Sequence, residues 1–493
     1  MRTTFGTFNI ATSGLYASQR SLDVVNNNIA NASTEGYSRQ LALQKASLPI
    51  GGDPRGLVGT GVEAYDVVQI RSQYLDNKYW GQTKSYSEWK TKSESLGVVE
   101  TIFNEPSDTG IRKVMDDLFA GMEELIKRPG DNTNRVNVIE RAVSFCKTIN
   151  GFGQQIVNNI RETNFVIKSK AEEINSYATQ IKEVNEQIFN LESDGHKANA
   201  LRDQRSTLVD KLSGIVNVTV SEVSGEGNVK YFNVKIGGMT LVNHYQVNKL
   251  TVEDAPVAGI SEFGAGDISK IKWTGANSTV LDEVKVEGGE LKGLIDFRDG
   301  NGANNTYRGL PYYLKQMNEF ANQFATKFNT QHRLGYELNG PSNNIDFFEV
   351  PGVGINSINL KVSDILKNNP SKLAASNAAS GGESNNENAK VLAAFRNRKD
   401  IIPGLDGTPD DFVKSILMVL AVDADHATKL TTNTKSKVDQ TNNKRLSESG
   451  VSLDEEMGNM VKFQHSYNAS ARMVTTLDGI MDTMINRLGL VGR

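Results

Sequence analysis

The chain has 493 residues, 38% of them hydrophobic and 23% charged, with a net charge of −4. That length predicts about three domains, because single cores stop growing near 250–300 residues, and the charge balance excludes a nucleic-acid binder that works by releasing counterions from phosphates. The longest strongly apolar run, Ile416 to Val422, falls well short of the roughly 20 residues that cross a bilayer, so no membrane insertion is expected.

The first 36 residues carry only Arg2, Arg20, Asp23 and Glu35 as charges. Apolar and small residues step 4-3-4-3 through Ala11, Leu15, Ser18, Leu22, Val25, Ile29 and Ala32, a stripe that packs on another helix. Gln19, Asn26, Asn27, Asn28 and Asn31 stand where an exposed helix would carry charges. That choice predicts a helix enclosed by protein, where amides pair and charges would be stranded. Gly36 is expected to end it as the residue after the C-cap. No basic stretch leads into an apolar core, so a Sec-type signal peptide is not expected.

Residues 40–80 read as extended, with turns around Val58 to Val62. From about 82 to 215 the pattern is helical. Ile160, Ile167, Ile174, Ile181 and Ile188 recur every seven residues, with Tyr177, Val184 and Leu191 on the alternate line, as in a long helical hairpin or bundle arm. Cys146 is the only cysteine, which excludes an intramolecular disulfide and a multi-cysteine metal site; its apolar setting predicts a small buried hydrophobe. Asp194-Gly195 breaks the helix, and a second passes through Leu201, Leu208 and Leu212.

The period then becomes two. Phe232, Val234 and Ile236 alternate with polar residues, Gly237-Gly238 supplies a hairpin turn, and Thr240 to Val242 returns. Val247 to Val252, Ile271 to Trp273 and Val284 to Val286 read as further strands. Helix resumes from Tyr312 to Phe328, residues 368–388 read as a loop, and two helices are expected at about 410–446 and 453–488. The last opens with Ser452 and Glu455 at capping-box spacing. Its stripe runs Leu453, Met457, Met460, Gln464, Tyr467, Ala471, Val474, Asp478, Met481, Ile485, Leu488.

The expected class is mainly α with an inserted β domain, an α+β multidomain chain. Paired coiled-coil-like terminal helices occupy 1–80 and 447–493, a helical-bundle middle layer 81–215 and 293–446, and an outer β-rich domain 216–292. The insert lies farthest from the ends, so its removal is expected to leave them functional. The candidate assembly residues are Leu15, Leu22, Val25, Asn28, Ile29 and Asn31 at the front. Met457, Met460, Tyr467, Ala471, Val474, Met481 and Ile485 are their counterparts at the back. Nothing reads as a catalytic, cofactor or metal site. Asp194, His196 and Asp203 near one helix start are better explained by polar capping, and Gly225-x-Gly227 precedes strands rather than the helix a dinucleotide motif needs.

Ser13-Gly14-Leu15, Ala17, Leu22, Asn28-Ile29-Ala30-Asn31, Thr34 and Gly36-Tyr37 resemble the N-terminal signature of bacterial flagellar rod, hook and hook-associated proteins. Asp454 to Met457, Gln464, Tyr467, Ala469, Ala471-Arg472 and Leu477-Asp478 resemble the matching C-terminal signature. Within that axial family, Gly36 to Gln40, Ala198 to Arg205, Gly289 to Asp299, and Asn339-Gly340 followed by Asp346-Phe347-Phe348 are similar to its hook–filament junction branch. Another axial protein, such as the hook protein or the third hook-associated protein, would share the ends but not those middle runs. A cell-wall hydrolase on the same scaffold would need a catalytic cleft.

The resemblance implies a structural, non-enzymatic protein without cofactors, located outside the cell at the hook–filament junction of the flagellum. It implies export through the flagellar type III system without a cleaved signal peptide. The implied partners are copies of itself, the flagellar hook protein, hook-associated protein 3, and an export chaperone on the C-terminal helix.

Overall fold

The computed structural model describes residues 4–49, 58–103, 107, 110–193, 195, 197–225, 230–255, 268–274, 280–338, 340, 344–402 and 407–486. Asp194, His196, Gly227, Asn339 and Leu488 lie outside the described residues. The chain is mainly helical with small antiparallel sheets, the class expected.

Helix α1 (Thr4–Ala30) is followed by a ribbon of two antiparallel strands, β1 (Gln40–Ala46) and β2 (Val62–Gln69). Helix α1 stops well before Gly36, which sits at φ +79° in the turn that follows. A Cβ there would lie 2.2 Å from Thr207 Oγ1, so the glycine permits both the left-handed backbone and a close approach. The helical stretch begins earlier than expected, at α2 (Gln73–Phe103), and continues through α3 (Ile111–Lys127) and α4 (Asn132–Glu192). Helix α4 has 61 residues, about 90 Å at 1.5 Å per residue. Asp131 caps its start by accepting from Thr133 N–H at 2.8 Å.

After α5 (Asn199–Ile215) come β3 (Val218–Ser224), β4 (Lys230–Ile236), β5 (Met239–Asn243) and β6 (Gln246–Val247), paired in that order. Gly237 and Gly238 both have positive φ between β4 and β5, as a tight hairpin requires. A second sheet orders β7 (Lys249–Ala255), β8 (Ile268–Thr274) and β9 (Val280–Glu283). Residues 284–286 are irregular, so the last strand falls just before the position expected.

Then follow α6 (Glu290–Asp299), α7 (Leu310–Arg333), α8 (Asp364–Asn368), α9 (Glu387–Ala394), α10 (Pro409–Ser449) and α11 (Leu453–Asn486). Pro409 stands in the first turn of α10, where its missing N–H costs nothing, and Thr408 with Asp411 forms a full capping box.

Two cores divide the length of α4. One joins its first half to α3, α7 and α9, with Phe119, Phe145, Phe320, Phe324, Phe328, Phe347, Phe348 and Phe395 fully buried. Cys146 is buried there. The other joins Ile167, Ile174, Ile181 and Ile188 of α4 to α5 and to Phe232, Val234 and Trp273 of the sheets. The alternate line is mixed, with Val184 buried, Tyr177 half-buried and Leu191 exposed. The β strands are thus the lid over the isoleucine seam of α4.

Three helices grip an extended segment by the same device. Asn28 of α1 bonds both the N–H and C=O of Gln40, at 2.9 Å each. Asn175 of α4 does so with Leu250, and Asn329 of α7 with Phe348, at 2.7–2.8 Å. An asparagine side chain carries one amide donor face and one carbonyl acceptor, so it can replace a neighbouring strand at one residue.

Candidate assembly site

The terminal helices pack antiparallel with constant register. A Cβ on Gly14 would lie 3.0 Å from Ser470 Oγ, Ser18 Oγ bonds Ser466 Oγ at 3.0 Å, and Asn28 Nδ2 bonds Glu456 Oε2 at 3.1 Å. Each step forward on α1 is matched by an equal step back on α11. Helices α2 and α10 form a second antiparallel pair of the same kind. Ser93 meets Thr428 at 3.0 Å and, a matching distance along each helix, Asp76 meets Arg445 at 3.5 Å.

The seam runs along one expected line of each stripe and shifts the other by one residue. On α1, Ala11, Ser18 and Val25 are buried as expected. The alternate positions are Gly14, Ser21 and Asn28 rather than Leu15, Leu22 and Ile29, which are half-buried beside the seam. On α11, Met460, Tyr467 and Val474 are half-buried along α1 and Met481 is half-buried too, but Glu456, Phe463, Ser470 and Leu477 alternate with them. Met457 and Ile485 face outward, at 52 and 71% exposure, while Ala471 and Asn31 are half-buried. The cause is the ribbon, which covers a second face of α1. Gln44 Nε2 donates to Ser21 Oγ at 2.8 Å, and Val62 N–H to Ser13 Oγ at 3.2 Å. Small residues fill the corner between ribbon and α11 because only they allow so close an approach. Gln19, Asn26 and Asn27 are exposed in the single chain, so the amide-rich face is bare rather than enclosed.

Asn28 is 0% exposed and uses its full bonding capacity. Its Oδ1 accepts from Gln40 N–H and from Tyr37 Oη at 2.8 Å; its Nδ2 donates to Gln40 C=O and Glu456. Burial, with Asp203 and Glu456 nearby, pushes the Tyr37 phenol up to about 12, so it stays a donor. Arg39 neutralises the buried Glu456, with Nε 2.7 Å from Oε1, and reaches Glu455 through Nη1 at 2.7 Å. Its backbone N–H donates to Ser449 C=O at 2.8 Å, tying the junction to the end of α10. Asn31 stays local, donating to Asn27 C=O at 2.9 Å.

The run Asn199 to Arg205 is a joint, with Asn199, Arg202, Asp203 and Arg205 bonded to the ribbon, to α4, to the segments flanking the ribbon and to β3. Asn199 donates to Val67 C=O of the ribbon at 2.8 Å, and Arg202 forks onto Glu192 of α4, both bonds 2.7 Å. Asp203, which caps nothing, accepts from Ser38 N–H at 2.9 Å and from Arg71 at 3.5 Å. Arg205 donates to Asn185 and Glu222 and lies 3.7 Å over the Phe232 ring. Burial raises the Asp203 carboxyl and pulls the Arg205 guanidinium down to about 10. A cleft of about 540 Å³ opens beside this joint between residues 32–38, α5 and the end of α10. Its Arg445 and Asp210 already pair with each other at 2.8 Å, and its Arg71 with Asp76 at 2.7 Å. The run is legible as a motif, but its partners lie as far as 165 residues away and leave no local signal.

Among the described residues, no three His, Cys, Asp or Glu side chains gather as metal ligands, and no helix is long and apolar enough to cross a membrane. The geometry of these contacts holds and orients the terminal helices.

Comparison with known proteins gives one pattern. The model of the flagellar hook-associated protein FlgK helical domain matches residues 96–348. The flagella basal body rod protein model matches 8–37, and the flagellar basal body rod FlgEFG protein C-terminal model matches 442–488. Flagellar hook-associated protein 1 of Bacillus subtilis strain 168 is 30% identical over 100% of both chains. Its counterpart in Escherichia coli K12 is 24% identical over 97% of this chain and 99% of that one. A solved structure, the flagellar hook junction protein FlgK from Burkholderia pseudomallei, matches with TM-score 0.47 at 25% identity. It covers 56% of this chain and 47% of the other.

Proposed function

Because the chain belongs to the flagellar hook-associated protein 1 family, we propose that its terminal rod packs among sister rods to form the layer joining hook to filament. It is a structural component of the bacterial flagellum. What supports the assembly role is the α1–α11 pair itself: the α1 side of its seam is mostly small and polar, while Leu15, Leu22 and Ile29 stand half-buried on the flank. A rod that buries so little within one chain has apolar surface left for neighbours.

The neighbours in this reading are copies of the chain, the hook protein on one side and hook-associated protein 3 on the other. Before secretion a chaperone covers α11, and the chain then leaves the cell unfolded through the flagellar type III channel, with no signal peptide cleaved. The chain is not an enzyme in this reading, and a peptidoglycan hydrolysis assay with purified protein should find no turnover. The decisive experiment is electron microscopy of a deletion strain. Hooks without filaments, with filament protein released into the medium, are expected; complete filaments on swimming cells would overturn the proposal.

A further inference from the structure

Away from the terminal rod, the run Gly289 to Asp299 meets α2 around one buried lysine. Lys92 is 4% exposed, the one lysine buried among the described residues, and a lysine is almost never enclosed without a partner. Its Nζ lies 2.6 Å from Glu88 Oε1 on its own helix and 2.7 Å from Asp296 Oδ2 of α6. The Trp89 and Tyr307 rings flank the amine, with centroids at 4.7 and 4.8 Å. Lys292 stands on the other oxygen of the same carboxylate, its Nζ 2.5 Å from Oδ1.

The backbone brings these four side chains together. Glu88 and Lys92 are one turn apart on α2, as are Lys292 and Asp296 on α6. Between the latter two sits Gly293, where a Cβ would lie 2.9 Å from Glu88 C=O and from Thr91 Cβ. A larger residue there would push the two helices apart. The glycine thus sets the distance across which Lys92 meets Asp296.

We propose that Lys92 and Asp296 condense into an intramolecular amide once the chain has folded. A proton passes along the 2.7 Å bond from Nζ to Oδ2, which burial favours because an ion pair cut off from water is costly. The free amine attacks Cγ, and Lys292 faces the negative charge that builds on Oδ1. Glu88 takes the proton that the new bond forces off Nζ and hands it to Oδ2, which leaves as water. One C–N bond forms, one C–O bond breaks, and two protons move from nitrogen to the departing oxygen, so no oxidant or cofactor is needed. Condensation is unfavourable between free groups in water, but holding the two in contact supplies the effective concentration that drives it. The link would staple α2 to α6 and close the chain around α3, α4, α5 and both larger sheets.

A plain cluster of ion pairs would make the same contacts and keep the water, so mass spectrometry separates the two. Trypsin digestion of the purified, folded full-length chain should leave the peptide 91–112, uncut after Lys92, joined to 293–298. The joined species should weigh one water less than its two parts. Lys92→Arg keeps the charge without the nucleophile, and Glu88→Gln keeps a polar partner without the base. Both should release the two peptides unlinked, with circular dichroism unchanged. Asp296→Asn should still link, losing ammonia in place of water. Peptides 93–112 and 293–298 appearing only at their free masses in the unsubstituted chain would overturn the proposal, whether or not any variant folds. A link that survives Glu88→Gln would overturn the part given to Glu88.

Discussion

Asn28 and Glu456 stand 428 residues apart in the chain, yet their side chains meet at 3.1 Å in a site closed to solvent. The contact joins the end of α1 to the start of α11, and Arg39 supplies the cation that a buried carboxylate needs. Every polar atom at this corner has its bond made, which is the condition for a buried network to stabilise rather than destabilise.

Asn28→Ala should loosen the corner by about 2–3 kcal/mol, because it leaves Gln40 N–H and C=O without partners and the Tyr37 hydroxyl proton without its acceptor. Asn28→Asp should be at least as damaging, since a carboxylate cannot donate to Gln40 C=O and would face Glu456. Amide exchange at residues 453–460 in the assembled state is the measurement. Unchanged protection in either variant would show that the network is incidental.

Gly14 is the closest approach in the seam. Gly14→Ala should be near neutral, because a small shift of Ser470 offsets the contact and alanine gains about 1 kcal/mol of helix propensity over glycine. Gly14→Leu should force the helices apart, and Leu22→Asp should put an unpaired charge on the half-buried flank. Both should block incorporation into flagella while circular dichroism of the remaining helices stays unchanged. Normal filament growth with either would contradict the packing described.

The α1 side of the seam offers mostly small groups and the large α11 side chains are only half-buried, at about 0.8 kcal/mol per buried methylene, and an isolated helix pair bears the cost of nucleation. Amides of 4–30 and 453–486 should therefore exchange fast in the free chain and slowly after assembly. Those in the middle of α4 and α7 should be slow in both states. Strong protection of the ends in monomer would refute the idea that assembly orders them.

His332 provides a pH test of the phenylalanine core. Its Nδ1 lies 2.8 Å from Ile345 C=O and Nε2 accepts from Ala374 N–H at 3.0 Å, a neutral tautomer, and burial lowers its pKa to about 4 from 6.5. The unfolded chain therefore binds the extra proton between those values. Stability is fully present above about pH 6.5 and falls by on the order of 3 kcal/mol as pH drops to about 4. Urea unfolding across that range should show the slope in the native chain and lose it in His332→Asn; an identical slope in both would assign it elsewhere.

Deleting 220–285 should cause aggregation rather than leave a working scaffold. It would uncover Ile174, Ile181 and Ile188 of α4, which the strands now bury. The deletion variant in size-exclusion chromatography decides the matter, and a monodisperse helical monomer would show that α4 does not need its lid.

Much of the local architecture was written in residue order. The isoleucine heptads of α4 appear as one buried line, and the alternating Phe232, Val234 and Ile236 form β4 with its glycine hairpin. The terminal stripes both became helices. Periodicity reveals these because burying one face of a regular element is a local demand. Register is different. Whether Leu15 or Gly14 enters the seam depends on what else touches α1, and the ribbon that turns Gly14, Ser21 and Asn28 inward acts from the neighbouring layer.

The asparagine clamps were illegible for a related reason. Asn28 reads only as a pairing amide of unknown partner, and Asn175 and Asn329 carry no signal at all, until the extended segment each one bonds arrives from elsewhere in the chain. The sequence by itself determined the elements, their class and the family signature at the two ends. Tertiary structure alone decided which atoms of those ends meet, because hydrogen bonds and close approach are set by three-dimensional neighbours, whereas amphipathic period is set by nearest residues in the chain.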